Sequence, residues 1–326
     1  MRRNKCAAIL AAAVLCTSLG GCTSGTSTAQ QHTVALVAKS TETEFWLSVF
    51  AGAEAAATEY NLKLTIVGPE TEEDYETQNQ MVEDAVAAGA EAIVFSAIDY
   101  ENNADAINAA AQAGARIVAI DSNVASDAVS TYIGTDNYAA GQMAAQAALD
   151  RMDGALKVGI VNYDISSANG QERERGATDL FLESGRAEVV AVINTLAEAG
   201  HAQADTAVML EAYPEINVLL ALNEPTSVGA ARAVEELGLS DQVFLVGFDS
   251  NVATVDGLQE GSVDALVVQN PYAMGYLGVE SAYKLLAGQS GGLEQIVDTS
   301  TQIVDRSNLF SMDSQKALFA FEQRLE

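Results

Sequence analysis

A short apolar run that stops at Asp-Ser-Asn occurs twice, as Arg116-Ile-Val-Ala-Ile-Asp-Ser-Asn123 and as Val243-Phe-Leu-Val-Gly-Phe-Asp-Ser-Asn251. A continuous apolar run of this length reads as a strand buried on both faces, the kind found in parallel sheets covered by helices. Ligands of such sheets bind just outside the carboxyl ends of the strands. The repeat therefore predicts two strand mouths, carrying Asp121 and Asp249, one in each half of the chain and facing each other across a cleft.

The flanking pattern agrees. From Thr33 strand and helix alternate: strands over 33–39, 62–67, 92–96 and 117–121, helices over 44–60, 74–88 and 103–113. Gly89 and Gly114 fall just past helix ends, where a left-handed residue is cheapest. After an extended segment at 129–134 the plan restarts with a helix over 137–151. Strands follow at 157–162, 189–194, 217–223, 243–249 and 265–269, then a helix over 272–287, one extended segment over 296–304 and a helical tail over 314–324. Alternation of this kind means right-handed βαβ units, and so an α/β fold of two Rossmann-like lobes with parallel sheets flanked by helices. No Pro/Gly/Ser-rich linker separates the halves, so short hinge crossings are expected rather than a loose tether.

The 326 residues suffice for two such lobes, but the first of them read as a leader. Met1-Arg-Arg-Asn-Lys5 is a basic start, and the apolar stretch from Cys6 to Leu19 is short for a membrane span. Leu19-Gly-Gly-Cys22 then resembles a bacterial lipoprotein signal, which implies cleavage after residue 21, lipidation of Cys22 and a Ser/Thr/Gly/Gln tether over 22–32. Of the three cysteines only Cys22 would survive processing, which excludes disulfides and cysteine-based metal sites. The formal charge of −29 argues against nucleic acid and anionic lipid as partners.

Catalytic signatures are missing. There is no Gly-x-Ser-x-Gly elbow between a strand and a helix, no His-Glu-x-x-His, no P-loop and no Gly-x-Gly-x-x-Gly after a strand, and the two histidines, His32 and His201, accompany no nucleophile. Nearly every predicted strand instead ends in a polar residue: Lys39, Ser96, Asp121, Asn162, Asn194, Asn223, Asp249 and Gln269. Together they suit a polar cleft at the carboxyl edge of two sheets, and so a binder rather than an enzyme.

Several segments carry a resemblance: Val34-Ala-Leu-Val-Ala with Phe45-Trp46, Ile120-Asp121-Ser122, Gly134-Thr-Asp-Asn137, Arg173-Glu-Arg-Gly176, Leu222-Asn-Glu224, Val246-Gly-Phe-Asp249 and Val268-Gln269. In this order, from about Thr33 to about Val304, the chain resembles the type I periplasmic sugar-binding proteins of ABC transporters, the ribose-binding group. The resemblance implies three hinge crossings, near 135–136, 269–270 and 299–301. It divides the chain into a lobe of 33–135 plus 270–299 and a lobe of 136–269 plus 300–326. It also implies a ligand site of Lys39, Phe45, Trp46, Asp121, Ser122, Arg173, Asn223, Phe248, Asp249 and Gln269, with no cofactor and no metal. The chemistry suits a sugar: carboxylates accept from neighbouring hydroxyls, a guanidinium offers a planar fork, amides donate and accept, and aromatic rings cover C–H faces.

Departures mark this chain. Lys39 stands where the ribose-binding pattern has a small polar residue, Thr43 where it has asparagine and Ser122 where it has arginine. Lys39, with Gly68-Pro69-Glu70 nearby, resembles the autoinducer-binding branch, against which Arg173 speaks. Three readings of Lys39 stay open, namely pairing with Asp121, ligand contact and solvation. Trp46 and Phe248 read either as ligand platforms or as core. The function implied is that of a monomeric lipoprotein on the outer face of the cytoplasmic membrane, which captures a small sugar or polyol and delivers it to the transmembrane subunits of an ABC permease. The alternative is a ligand-sensing receptor for a membrane kinase or chemoreceptor. A repressor of related fold would require an N-terminal helix-turn-helix where this chain has a leader.

Overall fold

Four-to-eight-residue apolar runs do become strands, and their alternation with helices sorts them into two sheets. The computed structural model describes residues 31–319. The expected leader, the tether up to residue 30, Cys22 and the end of the predicted tail helix lie outside the described residues.

The first sheet contains β1 (Thr33–Val37), β2 (Lys63–Val67), β3 (Ala92–Phe95), β4 (Arg116–Ile120), β5 (Val129–Gly134) and β11 (Ile296–Asp298), in the order β11-β5-β4-β3-β1-β2. Helices α1 (Glu44–Glu59), α2 (Tyr75–Ala87), α3 (Ala104–Gln112) and α9 (Pro271–Leu286) cover it. Side chains alternate across the sheet as the strand period of two demands. On β3, Ala92 and Val94 pack toward α1 and α9, while Ile93 and Phe95 pack toward α2 and α3.

The second sheet repeats the plan with β6 (Leu156–Asn162), β7 (Ala187–Asn194), β8 (Val218–Ala221), β9 (Phe244–Phe248), β10 (Ala265–Val268) and β12 (Gln302–Asp305), in the order β12-β10-β9-β8-β6-β7. One face packs on α4 (Asn137–Arg151) and α5 (Ala168–Ser184). The other packs on α6 (Ala199–Ala212), α7 (Glu224–Glu236), α8 (Val252–Glu260) and α10 (Met312–Leu318).

Two expectations change. The single extended segment over 296–304 is two strands: β11 pairs parallel with β5 in one sheet, and β12 pairs antiparallel with β10 in the other. An apolar run carries no information about which sheet takes each half of it. The second sheet is thus parallel except for this edge strand, a common compromise in α/β proteins. The chain crosses between sheets after β5, after β10 and between β11 and β12, and side chains tie the crossings together. Thr135 Oγ1 donates to Gln269 Oε1 at 2.8 Å, and Thr301 Oγ1 lies 3.4 Å from Thr135 Oγ1.

Helix α5 is brought unusually close to α4 by glycine. A Cβ at Gly141 would lie 2.1 Å from the carbonyl oxygen of Arg173, and one at Gly176 would lie 2.1 Å from that of Tyr138. These contacts are with backbone, which cannot swing aside. Gly141→Val is therefore expected to cost about 2 kcal/mol or more, read as a fall in the midpoint of chemical unfolding. An unchanged midpoint would mean that the helices separate freely.

Candidate functional site

The two Asp-Ser-Asn repeats end their strands in the same way. Asp121 follows β4 with φ 56° and Asp249 follows β9 with φ 68°, both left-handed. The backbone N–H of each donates to the neighbouring strand, Asp121 to Ile133 O at 3.0 Å and Asp249 to Val267 O at 2.9 Å. Left-handed backbone is unfavourable for most side chains, and aspartate is among the few that tolerate it. The turn throws each carboxylate off the strand end into one cleft between the sheets, where Asp121 is 3% and Asp249 6% exposed.

Lys39, Phe45, Trp46, Asp121, Arg173, Asn223, Asp249 and Gln269 all line that cleft. Phe45 and Trp46 stand in the first turn of α1, whose N-cap is Thr43, with their rings edge to face at 5.2 Å. Trp46 belongs to the core beneath α1 and also lines the cleft. Arg173 is 1% exposed and gives three of its five N–H groups to neutral acceptors: Nε to Asn137 Oδ1 at 2.9 Å, one terminal nitrogen to Leu222 O at 2.7 Å, the other to Gln269 Oε1 at 2.9 Å. Arg175, two residues on, is exposed and lies over the Tyr138 ring instead.

Four of the expected residues have surroundings that the sequence does not encode. Ser122 does not line the cleft: the left-handed turn at Asp121 sends it inward, where its hydroxyl is buried without a hydrogen-bond partner among the described residues. Phe248 is fully buried in the strand and is not among the lining residues, and the Arg173 guanidinium lies 4.6 Å above its ring. Asn223 caps α7, its oxygen accepting from Thr226 N at 3.0 Å, so its amide nitrogen is the group presented to the cleft. Gln269 is committed at both ends, its nitrogen donating to Asp249 at 2.6 Å. Of the other strand-end polar residues, Ser96 donates to Asp121 at 2.9 Å, Asn162 bonds Glu174, and Asn194 is exposed on the edge strand β7.

Lys39 pairs with Glu72, at 3.2 Å, rather than with Asp121 or solvent. Glu72 also accepts from Trp46 Nε1 at 2.8 Å, and the ammonium lies 5.1 Å from the Tyr163 ring. Burial alone would pull this ammonium's pKa down, but the field of Glu72, helped by Asp121 and Asp164, holds it above its usual range. Burial pushes the Asp121 carboxyl up against the opposing pull of Lys39 and Arg173. Burial also raises Asp249, to about 7, because Arg173 and the Gln269 hydrogen bond offset too little of it.

Thr43 and Pro225 also line the cleft, as do Glu72, Tyr163, Asn169 and Glu224, which the sequence does not single out. Asn169 was within reach of sequence reasoning: it lies one helical turn before Arg173, and its amide contacts Asp121 from the opposite sheet at 3.3 Å. Glu72 and Tyr163 are loop residues with no periodic signal. The enclosed space is about 20 Å³, enough for about one water. A sugar ring does not fit that space as it stands. A larger hollow of about 350 Å³ adjoins past Phe45, Asp249 and Gln269.

Proteins of known kind resemble the chain. A D-ribose/D-allose-binding protein of Pseudomonas aeruginosa is 28% identical over 287 residues, 85% of this chain and 90% of that one. A carbohydrate transporter solute-binding protein of Agrobacterium radiobacter, solved with D-arabinose, superposes with a TM-score of 0.85 at 29% identity, over 89% of this chain and 99% of that one. A sugar transporter protein of Clostridium phytofermentans gives a TM-score of 0.76 at 33% identity, over 85% of this chain and 100% of that one. The family model of the periplasmic binding protein domain matches residues 34–290. With a match of that extent the chain belongs to the periplasmic binding protein family, as a type I member of the sugar-binding kind.

Proposed function

We propose that this chain is an extracytoplasmic solute-binding lipoprotein, anchored through Cys22, that captures a monosaccharide or small polyol and delivers it to an ABC importer. The observation that carries this is the pair of buried carboxylates at equivalent strand mouths, with Arg173 and Phe45-Trp46 lining the same closed cleft. Hydroxyl groups donate to such carboxylates, and the faces of a sugar ring suit aromatic walls. Relatives named for D-ribose and D-allose, and one solved with D-arabinose, support a ligand of that size. Residues 33–135 with 270–299 move as one body and 136–269 with those from 300 as the other, closing over the ligand about the three crossings.

Trp46 gives a direct test, since it is the only tryptophan and is 1% exposed in the closed cleft. Titrating the chain with pentoses, hexoses and polyols is expected to change its emission saturably with one of them. The same ligand at about 100-fold over its dissociation constant should add about 2.7 kcal/mol of stability. An emission and a melting point that ignore every sugar would overturn the reading.

A further inference from the structure

The cleft holds more negative charge than its own cations neutralise. Its lining cations are Lys39 and Arg173, and its lining carboxylates are Glu72, Asp121, Glu224 and Asp249. Two carboxylates are balanced locally. Glu72 is paired with Lys39. Glu224 accepts from the N–H groups of Glu44 and Phe45 at the start of α1 and itself stands in the first turn of α7, so the positive ends of two helices compensate it.

Arg173 is then left against both Asp121 and Asp249. Among the described residues no carboxylate lies within ion-pair distance of it, and its bonds run to Asn137, Leu222 and Gln269. Ser122, where the ribose-binding pattern would supply an arginine, brings no charge. The two aspartates are also short of donors. A carboxylate offers about four acceptor sites, yet Asp249 takes one bond, from Gln269, and Asp121 takes a firm one from Ser96 and long ones from Asn169.

A dry site can carry such a surplus by protonating a carboxylate or by taking a cation. The raised pKa of Asp249 is the mark of the first route when the cleft closes by itself. The second route needs the ligand to bring the charge. We propose that the preferred ligand is a sugar or cyclitol carrying a protonated amine, its ammonium shared by Asp121 and Asp249 and its hydroxyls meeting Arg173 and the Asn223 amide nitrogen. This rests on the sugar-binding reading above and narrows it. The overall charge of −29 attracts such a ligand toward the protein and repels sugar acids.

Calorimetry on the full chain at pH 7 tests it with matched pairs: D-galactosamine and D-galactose, D-glucosamine and D-glucose, D-mannosamine and D-mannose, with the N-acetylated forms and D-galacturonate as controls. In the pair whose ring fits, the amine is expected to bind about tenfold tighter or better than its parent. N-acetylation should abolish that gain, and raising the pH through the amine's own pKa should shrink it. Neutral sugars that bind as tightly as their amines, or a uronate that binds more tightly than its parent, overturn the proposal and leave the sugar-binding function standing. If neither charged nor neutral sugars bind, both fall.

Discussion

Asp249→Asn is expected to lower ligand affinity about hundredfold or more while leaving the fold intact. The substitution keeps the side chain's shape and suits a backbone at φ 68°, which asparagine tolerates and most residues do not. It removes an acceptor charge in a buried site. A hydrogen bond to a charged group contributes about 1.5–3 kcal/mol, and the amide keeps only one of the two acceptor oxygens. A loss of about 3 kcal/mol is about two decades in the dissociation constant. Calorimetry with the ligand found by the emission titration reads this directly, and native affinity in the variant would remove Asp249 from the site.

The same carboxylate sets a pH dependence. In the closed cleft its pKa is raised to about 7 by burial, with the field of Arg173 and the Gln269 hydrogen bond opposing, and those of Glu224 and Asp121 adding to it. A raised folded pKa means that closure favours the protonated form. The ligand-free closed state is therefore most stable below the ordinary carboxylate range and loses stability as pH rises toward about 7. Each pH unit in that window costs at most about 1.4 kcal/mol, because opening the cleft relieves it. Ligand donors act in reverse, since they hold the ionised form and expel a proton. For a ligand that does not itself titrate, affinity should therefore rise with pH from about 5 and level off above about 7, and Asp249→Asn should flatten the profile. A profile that is flat in the parent chain would mean that Asp249 is solvated before closure and after it alike.

The fold was legible because burial on both faces leaves an unmistakable apolar run, and because the Asp-Ser-Asn repeat marks matching strand ends. Both aspartates do share one backbone conformation and one cleft. The interior of the site was less legible, for reasons that differ by residue. Ser122 is adjacent to Asp121 in sequence, but one left-handed residue sends the two side chains to different places. Lys39 finds its partner in a loop 33 positions away, through a contact that no local pattern encodes. Asn223 looked like a donor and acceptor, yet a helix N-terminus claims its oxygen. Local periodicity predicts which strand a residue ends; it carries nothing about what approaches from the other sheet.

Glu224 is where that approach has its largest expected consequence. It opens α7 in the second sheet's half of the molecule, yet its carboxylate accepts from the N–H groups of Phe45 at 2.9 Å and Glu44 at 3.3 Å in α1 of the first. Asn251 holds it from its own side at 3.0 Å. The bonds to α1 exist only while the cleft is closed, so they stabilise closure whatever the ligand is. Two charge-assisted bonds at a helix N-terminus contribute about 1.5–3 kcal/mol together once desolvation is set against them. When the binding-competent state is a minor population, apparent affinity scales with its fraction. Glu224→Ala is therefore expected to weaken binding by about tenfold to hundredfold, by the same factor for every ligand tested. Solution scattering should show no more closed form in the ligand-free variant than in the parent. Because Glu224 also lines the cleft, the uniformity of the factor is the decisive readout. A side chain that touched the ligand would penalise some ligands and spare those lacking the contacted group, whereas a latch taxes all of them alike.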